Sequence, residues 1–177
     1  MKKINIAVVG LGQIGNYLLH ELNSKKKDIE LKTGKQINVV AISAKNINKK
    51  RKYKINKKLF FKNPLDIFKF KKIDILFESI GLSGGISKKV VEKAIKNKVH
   101  VITPNKALIS KHGDYLSKLA EKYKVNLEFE ASVAGGIPIL RTIKEGLATN
   151  KIFKVYGILN GTCNYILSQM EKSNNQF

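Results

Sequence analysis

The stretch Val8–Leu19, "VVGLGQIGNYLL", decides how the rest of the chain is read. An apolar run, Ile4–Val9, ends in a turn with glycines at 10, 12 and 15. Beyond it Ile14, Leu18, Leu19 and Leu22 recur at helical spacing. Strand, glycine turn and helix in immediate succession give the G-x-G-x-x-G pattern the context it needs. In such a unit Gly10 permits the tight turn, Gly12 lets the backbone approach a pyrophosphate, and Gly15 lets helix and strand pack closely. The anion rests on free backbone N–H groups at the helix N-terminus. Gly10, Leu11, Gly12, Gln13, Ile14 and Gly15 are therefore expected to hold a dinucleotide. The plainer alternative is a glycine turn needed only for packing.

Working outward, apolar runs at Ile37–Ser43, Ile73–Ile80, Val99–Thr103 and Asn126–Ala131 predict further strands. Between them Val90, Val91, Ala94 and Ile95, and then Tyr115, Leu116, Leu119, Ala120 and Tyr123, have helical spacing. Continuous apolar strands joined by helices imply a parallel sheet covered on both faces. The fold class expected is α/β, a doubly wound, Rossmann-like parallel sheet over residues 1–137. Residues 138–177 are expected to hold a connecting helix (Ile139–Ala148), a strand (Ile152–Leu159) and a helix capped by Thr162. These read as the opening of a second, α+β domain. The polar segment Asn23–Gln36 reads as a surface connection.

Charge does not redirect this reading. The chain has 177 residues, with 34 basic against 13 acidic side chains and a net charge of +21. Lysines are spread through almost every segment alongside abundant Ile and Asn, and only two of the basic residues are arginine. Codon composition biased toward A and T accounts for that pattern. Aromatic residues do not interleave with the charge as base stacking requires, so nucleic acid is not the expected partner. The apolar runs are too short to cross a bilayer, which takes about 20 helical residues. The N-terminal run leads into the glycine turn without a cleavage site, so it reads as a strand and the cytoplasm is the default location. A single cysteine, Cys163, excludes an internal disulfide, and it reads as a small buried hydrophobe. His20, His100 and His112 lack metal-ligand spacing and read as structural or surface residues.

The end of the second strand refines the cofactor. A site for the unphosphorylated dinucleotide carries Asp or Glu there, accepting hydrogen bonds from the ribose 2′-OH. The run "AISAKNINKKRKY" (Ala41–Tyr53) has no acid and offers Lys45, Lys49, Lys50 and Arg51. Cations form charge-assisted bonds to a 2′-phosphate that a carboxylate would repel. NADP(H) is the expected cofactor, with Lys45 and Arg51 among its ligands. Ser79, at the end of the third strand, is counted with them. Asn105-Lys106 follows the fourth strand's carboxyl end, where open α/β sheets bind ligands.

Three later motifs, "HVITPNKALIS" (100–110), "FEASVAGGIPIL" (129–140) and "GILNGTCNYIL" (157–167), follow "DILFESIG" in this order. Together with the glycine turn they resemble homoserine dehydrogenase over essentially the whole chain. The resemblance implies NADP-linked hydride transfer between L-homoserine and L-aspartate 4-semialdehyde, in threonine and methionine biosynthesis. It implies a catalytic, cofactor-contacting role for Lys106. It also implies a monovalent cation, Na+ or K+, held by Glu130 and the carbonyls of Val133, Gly135 and Ile137. A homodimer is implied for a full-length form. Cys163 stands where the family usually has Thr. The family's acidic substrate ligands and principal proton-transferring lysine lie beyond the "NGT" helix, so this chain is expected to bind NADP(H) but turn over poorly alone. A non-catalytic NADP-binding or regulatory module is the rival reading, and a basic nucleic-acid binder a more distant one.

Overall fold

The structure, a computed structural model, describes residues 2–157 and 160–173. The strands are β1 (Lys2–Val9), β2 (Lys35–Ser43), β3 (Phe60–Phe61), β4 (Ile75–Glu78), β5 (His100–Ile102) and β6 (Leu127–Glu128). All pairings are parallel, and the order across the sheet is β3-β2-β1-β4-β5-β6. This is the doubly wound arrangement expected from the sequence. The winding reverses between β1 and β4, so their carboxyl ends open a crevice there.

The helices of the sheet unit are α1 (Gln13–Ser24), α2 (Lys26–Thr33), α3 (Ile67–Phe70), α4 (Ile86–Lys96), α5 (Lys106–Tyr123) and α6 (Glu130–Val133). Alternation along β1 divides the core into two layers. Ile6 and Val8 pack with Leu18, Leu19 and Leu22 of α1. Ala7 and Val9 belong to the layer with Val90, Val91, Ala94 and Ile95 of α4 and Leu108 and Leu116 of α5. Both faces of the central strands are thus buried, which is why they read as unbroken apolar runs.

The sheet unit corrects three local expectations and adds one strand. Asn23–Gln36 is not merely a connection: it contains α2, closed by Gly34 at φ 65°. A left-handed glycine is a common helix terminator, but without an apolar face to bury, this helix has no periodic signature. Strand β3 was not anticipated, because a two-residue strand is too short to show a pattern. Ala131 lies in α6 and not in a strand, since β6 pairs with β5 only through Leu127 and Glu128. β4 is also shorter than the Ile73–Ile80 run, because Ser79 and Ile80 already form the turn at the sheet's carboxyl edge.

The chain separates into two compact units between Gly135 and Gly136. The second contains α7 (Ile139–Arg141), a wider π-helical turn over Thr142–Gly146, and α8 (Gly161–Ser173). The helix expected over Ile139–Ala148 therefore widens to π geometry after Arg141 and ends at Gly146. Thr142 Oγ1 donates back to the Pro138 carbonyl (2.7 Å), and the Leu147 N–H reaches the Thr142 carbonyl. Residues 152–157 form no strand, and Phe153 and Tyr156 are exposed. Ile158 and Leu159, the end of that expected strand, lie outside the described residues. The cap of α8 is Asn160, whose Oδ1 accepts the Cys163 N–H at 3.1 Å, in place of Thr162. Cys163 is exposed, against the buried role expected of it. Among the described residues no helix is long and apolar enough to cross a membrane.

Candidate dinucleotide site

The glycine turn is shaped by contacts that only glycine allows. Gly10 has φ 91°, and a Cβ there would lie 2.4 Å from the Ser79 carbonyl group. At Gly15 a Cβ would lie 2.0 Å from the Gly10 oxygen and 2.8 Å from Ser79 Oγ. Gly12 differs: its added Cβ would meet nothing within 4 Å. Its surface faces open space, as an approaching pyrophosphate requires. No side chain caps α1 and no acid stands in its first turn, so its N-terminal N–H groups are left to an anion.

Ser79 ties the neighbouring strand to this turn. Its N–H donates to the Val9 carbonyl (2.7 Å) and its hydroxyl to the Gly10 carbonyl (2.7 Å). From the other side, the Gly10 N–H donates to the Ser43 carbonyl of β2 (2.9 Å). The turn is thus held between the ends of β2 and β4.

A crevice of about 540 Å³ opens between the turn and the loop that follows β2. Leu11, Gly12, Gln13 and Ile14 line one side, and Lys49, Lys50 and Arg51 the other. Lys45 is exposed and is not among the lining residues. Arg51 Nε donates to the Leu11 carbonyl (3.0 Å), Nη1 to those of Ile47 (2.9 Å) and Lys49 (2.9 Å), and Nη2 to that of Asn46 (2.7 Å). Asn16, buried on α1, makes a reciprocal pair with the backbone of Tyr53: Nδ2 donates to its carbonyl (2.9 Å) and Oδ1 accepts its N–H (3.0 Å). His20 stacks on the Tyr53 ring at 3.9 Å, which gives that histidine a structural role.

At the carboxyl end of β4, Glu78 is completely buried. Its Oε1 accepts the Ile80 N–H (2.8 Å) and its Oε2 the Thr103 hydroxyl (2.6 Å). Thr103 Oγ1 in turn accepts the Asn105 N–H (3.1 Å). Asn105 caps α5, its Oδ1 accepting the Leu108 N–H (3.1 Å) while Nδ2 donates to the Leu82 carbonyl (2.9 Å). Lys106 is the exposed first residue of that helix. Sequence reasoning singled out Lys106 and missed the Glu78–Thr103–Asn105 chain beneath it. The available signal was an acid at the end of an apolar parallel strand, because a carboxylate buried there must find donors.

His100 Nδ1 accepts the Asn126 N–H (3.0 Å), a structural contact between neighbouring segments. Glu130 begins α6, and Val133 ends it with its side chain exposed. Gly135 is exposed and closes the first unit. In the second unit the Ile137 carbonyl accepts the Ile139 N–H (2.9 Å). Among the described residues no group of three or more His, Cys, Asp or Glu side chains could hold a metal ion. Any ion at the Glu130 segment would depend on that carboxylate and on backbone carbonyls, which are hard oxygen donors.

Comparison with known proteins agrees with this geometry. Residues 10–130 match the family model "Homoserine dehydrogenase, NAD binding domain", and residues 138–177 match the model "Homoserine dehydrogenase". The homoserine dehydrogenase of Neisseria gonorrhoeae is 38% identical over 177 residues, covering 100% of this chain and 40% of that protein. The Bacillus subtilis homoserine dehydrogenase is 34% identical over 179 residues, covering 100% of this chain and 41% of that protein. Among solved structures, a homoserine dehydrogenase from Thiobacillus denitrificans superposes with a TM-score of 0.82 at 37% identity, covering 97% of this chain and 39% of that one. The chain therefore spans about two fifths of the length of these relatives. It belongs to the homoserine dehydrogenase family.

Proposed function

We propose that this chain is the coenzyme-binding part of an NADP-dependent homoserine dehydrogenase, which interconverts L-homoserine and L-aspartate 4-semialdehyde in threonine and methionine biosynthesis. The observation that carries the reading is the crevice with open Gly12 on one wall and Lys49 and Lys50 on the other. Gly12, Gln13 and Ile14 present the α1 N-terminus to the diphosphate, beside Gly10, Leu11 and Gly15. Lys49 and Lys50 supply charge for the adenosine 2′-phosphate, with Lys45 exposed two residues beyond the buried end of β2. Ser79 holds the turn against β4, and Arg51 lines the crevice beside the two lysines.

The bound nicotinamide supplies the hydride chemistry. Lys106, at the head of α5, is the catalytic residue assigned within this chain, its ammonium stabilising negative charge on the substrate oxygen. Glu130 and the carbonyls of Val133, Gly135 and Ile137 are assigned to a monovalent cation, Na+ or K+. A full-length homodimer in the cytoplasm completes the reading.

Fluorescence titration with NADPH and NADH tests the assignment. At roughly 1.5–3 kcal/mol per hydrogen bond to a charged group, two lysine contacts should favour NADPH by about 100-fold or more. Lys45→Asp should reduce that preference by placing a carboxylate beside the phosphate. Equal wild-type affinities for the two coenzymes would refute the NADP assignment. In protein containing this chain together with the remainder of the enzyme, Lys106→Met should abolish most homoserine oxidation, a far larger loss than any in NADPH affinity. Unchanged turnover would remove Lys106 from the chemistry.

A further inference from the structure

We propose that Arg51 is a positioning residue: its guanidinium clamps the basic loop to the glycine turn, while neighbouring lysines provide the charge that meets the phosphate. The inference rests on reading the crevice as an NADP(H) site. A guanidinium has five N–H bonds. Arg51 directs four of them at the carbonyls of Leu11, Asn46, Ile47 and Lys49, at 2.7–3.0 Å. It therefore has one N–H left for a ligand.

The loop has a reason to need such a clamp. Lys45, Lys49, Lys50, Lys52 and Lys54 lie within ten residues, and like charges on a short segment repel and extend it. Three loop carbonyls instead converge on one cation, the Arg51 guanidinium. The fourth bond reaches Leu11, between Gly10 and Gly12. The Asn16–Tyr53 pair fastens the far end of the same loop to α1. Because the clamp joins both walls of the crevice, its loss disturbs the diphosphate turn as well as the 2′-phosphate side. Both coenzymes should suffer, whether or not they carry the extra phosphate.

Arg51→Lys separates clamp from charge, since lysine keeps the charge but its compact ammonium cannot reproduce the planar fork. Amide hydrogen exchange on the ligand-free chain should show faster exchange at Asn48 and Tyr53 in both Arg51→Lys and Arg51→Ala. A single cooperative melting transition confirms that each variant is folded. Both variants should weaken NADPH and NADH by similar factors, about tenfold each, the equivalent of one charge-assisted hydrogen bond. Joint replacement of Lys49 and Lys50 by Ala should instead weaken NADPH alone. The clamp is overturned if loop exchange is unchanged in both Arg51 variants. It is also overturned if Arg51→Lys binds NADPH like wild type while Arg51→Ala loses NADPH only, because Arg51 would then act as phosphate charge. Wild-type failure to bind either coenzyme would refute the functional reading, while the exchange measurement would still decide the clamp.

Discussion

Gly15→Ala is expected to destabilise the sheet unit severely, whereas Gly12→Ala should leave stability nearly unchanged and abolish tight coenzyme binding. The contrast follows from what each methyl would meet. At position 15 it would enter to 2.0 Å from the Gly10 carbonyl oxygen, an obstacle made of backbone held in turn by Ser79 and Ser43. Overpacking of this kind costs about 3 kcal/mol or more when no flexible side chain can yield. Against a typical total stability of about 5–15 kcal/mol, that is a large fraction. Thermal melting should show a fall of about 10 °C for a domain of this size. At position 12 the backbone is at φ −72° and ψ −158°, ordinary for alanine, and the methyl would project into empty crevice. Its effect should appear in the NADPH titration as a loss of at least about tenfold in affinity, the equivalent of one disturbed contact. If Gly12→Ala binds NADPH normally, the diphosphate does not approach that face. If Gly15→Ala melts like wild type, the close helix–turn contact is not a stability determinant.

Glu78→Ala should be the most damaging polar substitution at the carboxyl edge of the sheet. Three donors converge on this buried carboxylate: the Ile80 N–H, the Thr103 hydroxyl and, at 3.4 Å, the Asn105 side-chain amide. Its loss leaves the Ile80 N–H and the Thr103 hydroxyl without this acceptor and Asn105 Nδ2 with only the Leu82 carbonyl, at a cost of about 3–5 kcal/mol. Glu78→Gln retains shape but turns one acceptor into an NH₂ group aimed at another donor, and should cost about 2 kcal/mol. Chemical denaturation measures both. The damage should also travel along the chain of bonds. Asn105 loses its support, so the Leu108 amide, bonded to Asn105 Oδ1, should exchange faster and the first turn of α5 should fray. Lys106 begins that turn, so its placement depends on Glu78 although the two are not bonded. Wild-type stability in Glu78→Gln, with Leu108 still protected, would show that the acid is a passenger.

The architecture was legible from the chain because its signals are local. Three glycines between an apolar strand and an amphipathic helix specify one kind of turn, and unbroken apolar runs imply strands buried on both faces. The motifs around Lys106 and Glu130 likewise carried the family, since they are contiguous. Short or amphipathically weak elements were not legible: α2 buries no residue and β3 has only two, so neither produces periodicity. The strand expected at Ile152 shows the converse failure, because an apolar alternating run becomes a strand only when a neighbour accepts its backbone hydrogen bonds. The division of labour in the basic loop also lay beyond sequence reasoning. Arg51 and the neighbouring lysines are interchangeable as charges in a linear reading. Only the folded backbone gathers four carbonyls around the guanidinium while Lys49 and Lys50 remain on the crevice wall. Glu78, Thr103 and Asn105 are separated by up to 27 residues and meet because β4 and β5 are adjacent parallel strands that end at the same level. Composition and periodicity select the fold class, but hydrogen bonds between distant residues assign each side chain its work, because they exist only after the strands have been placed side by side.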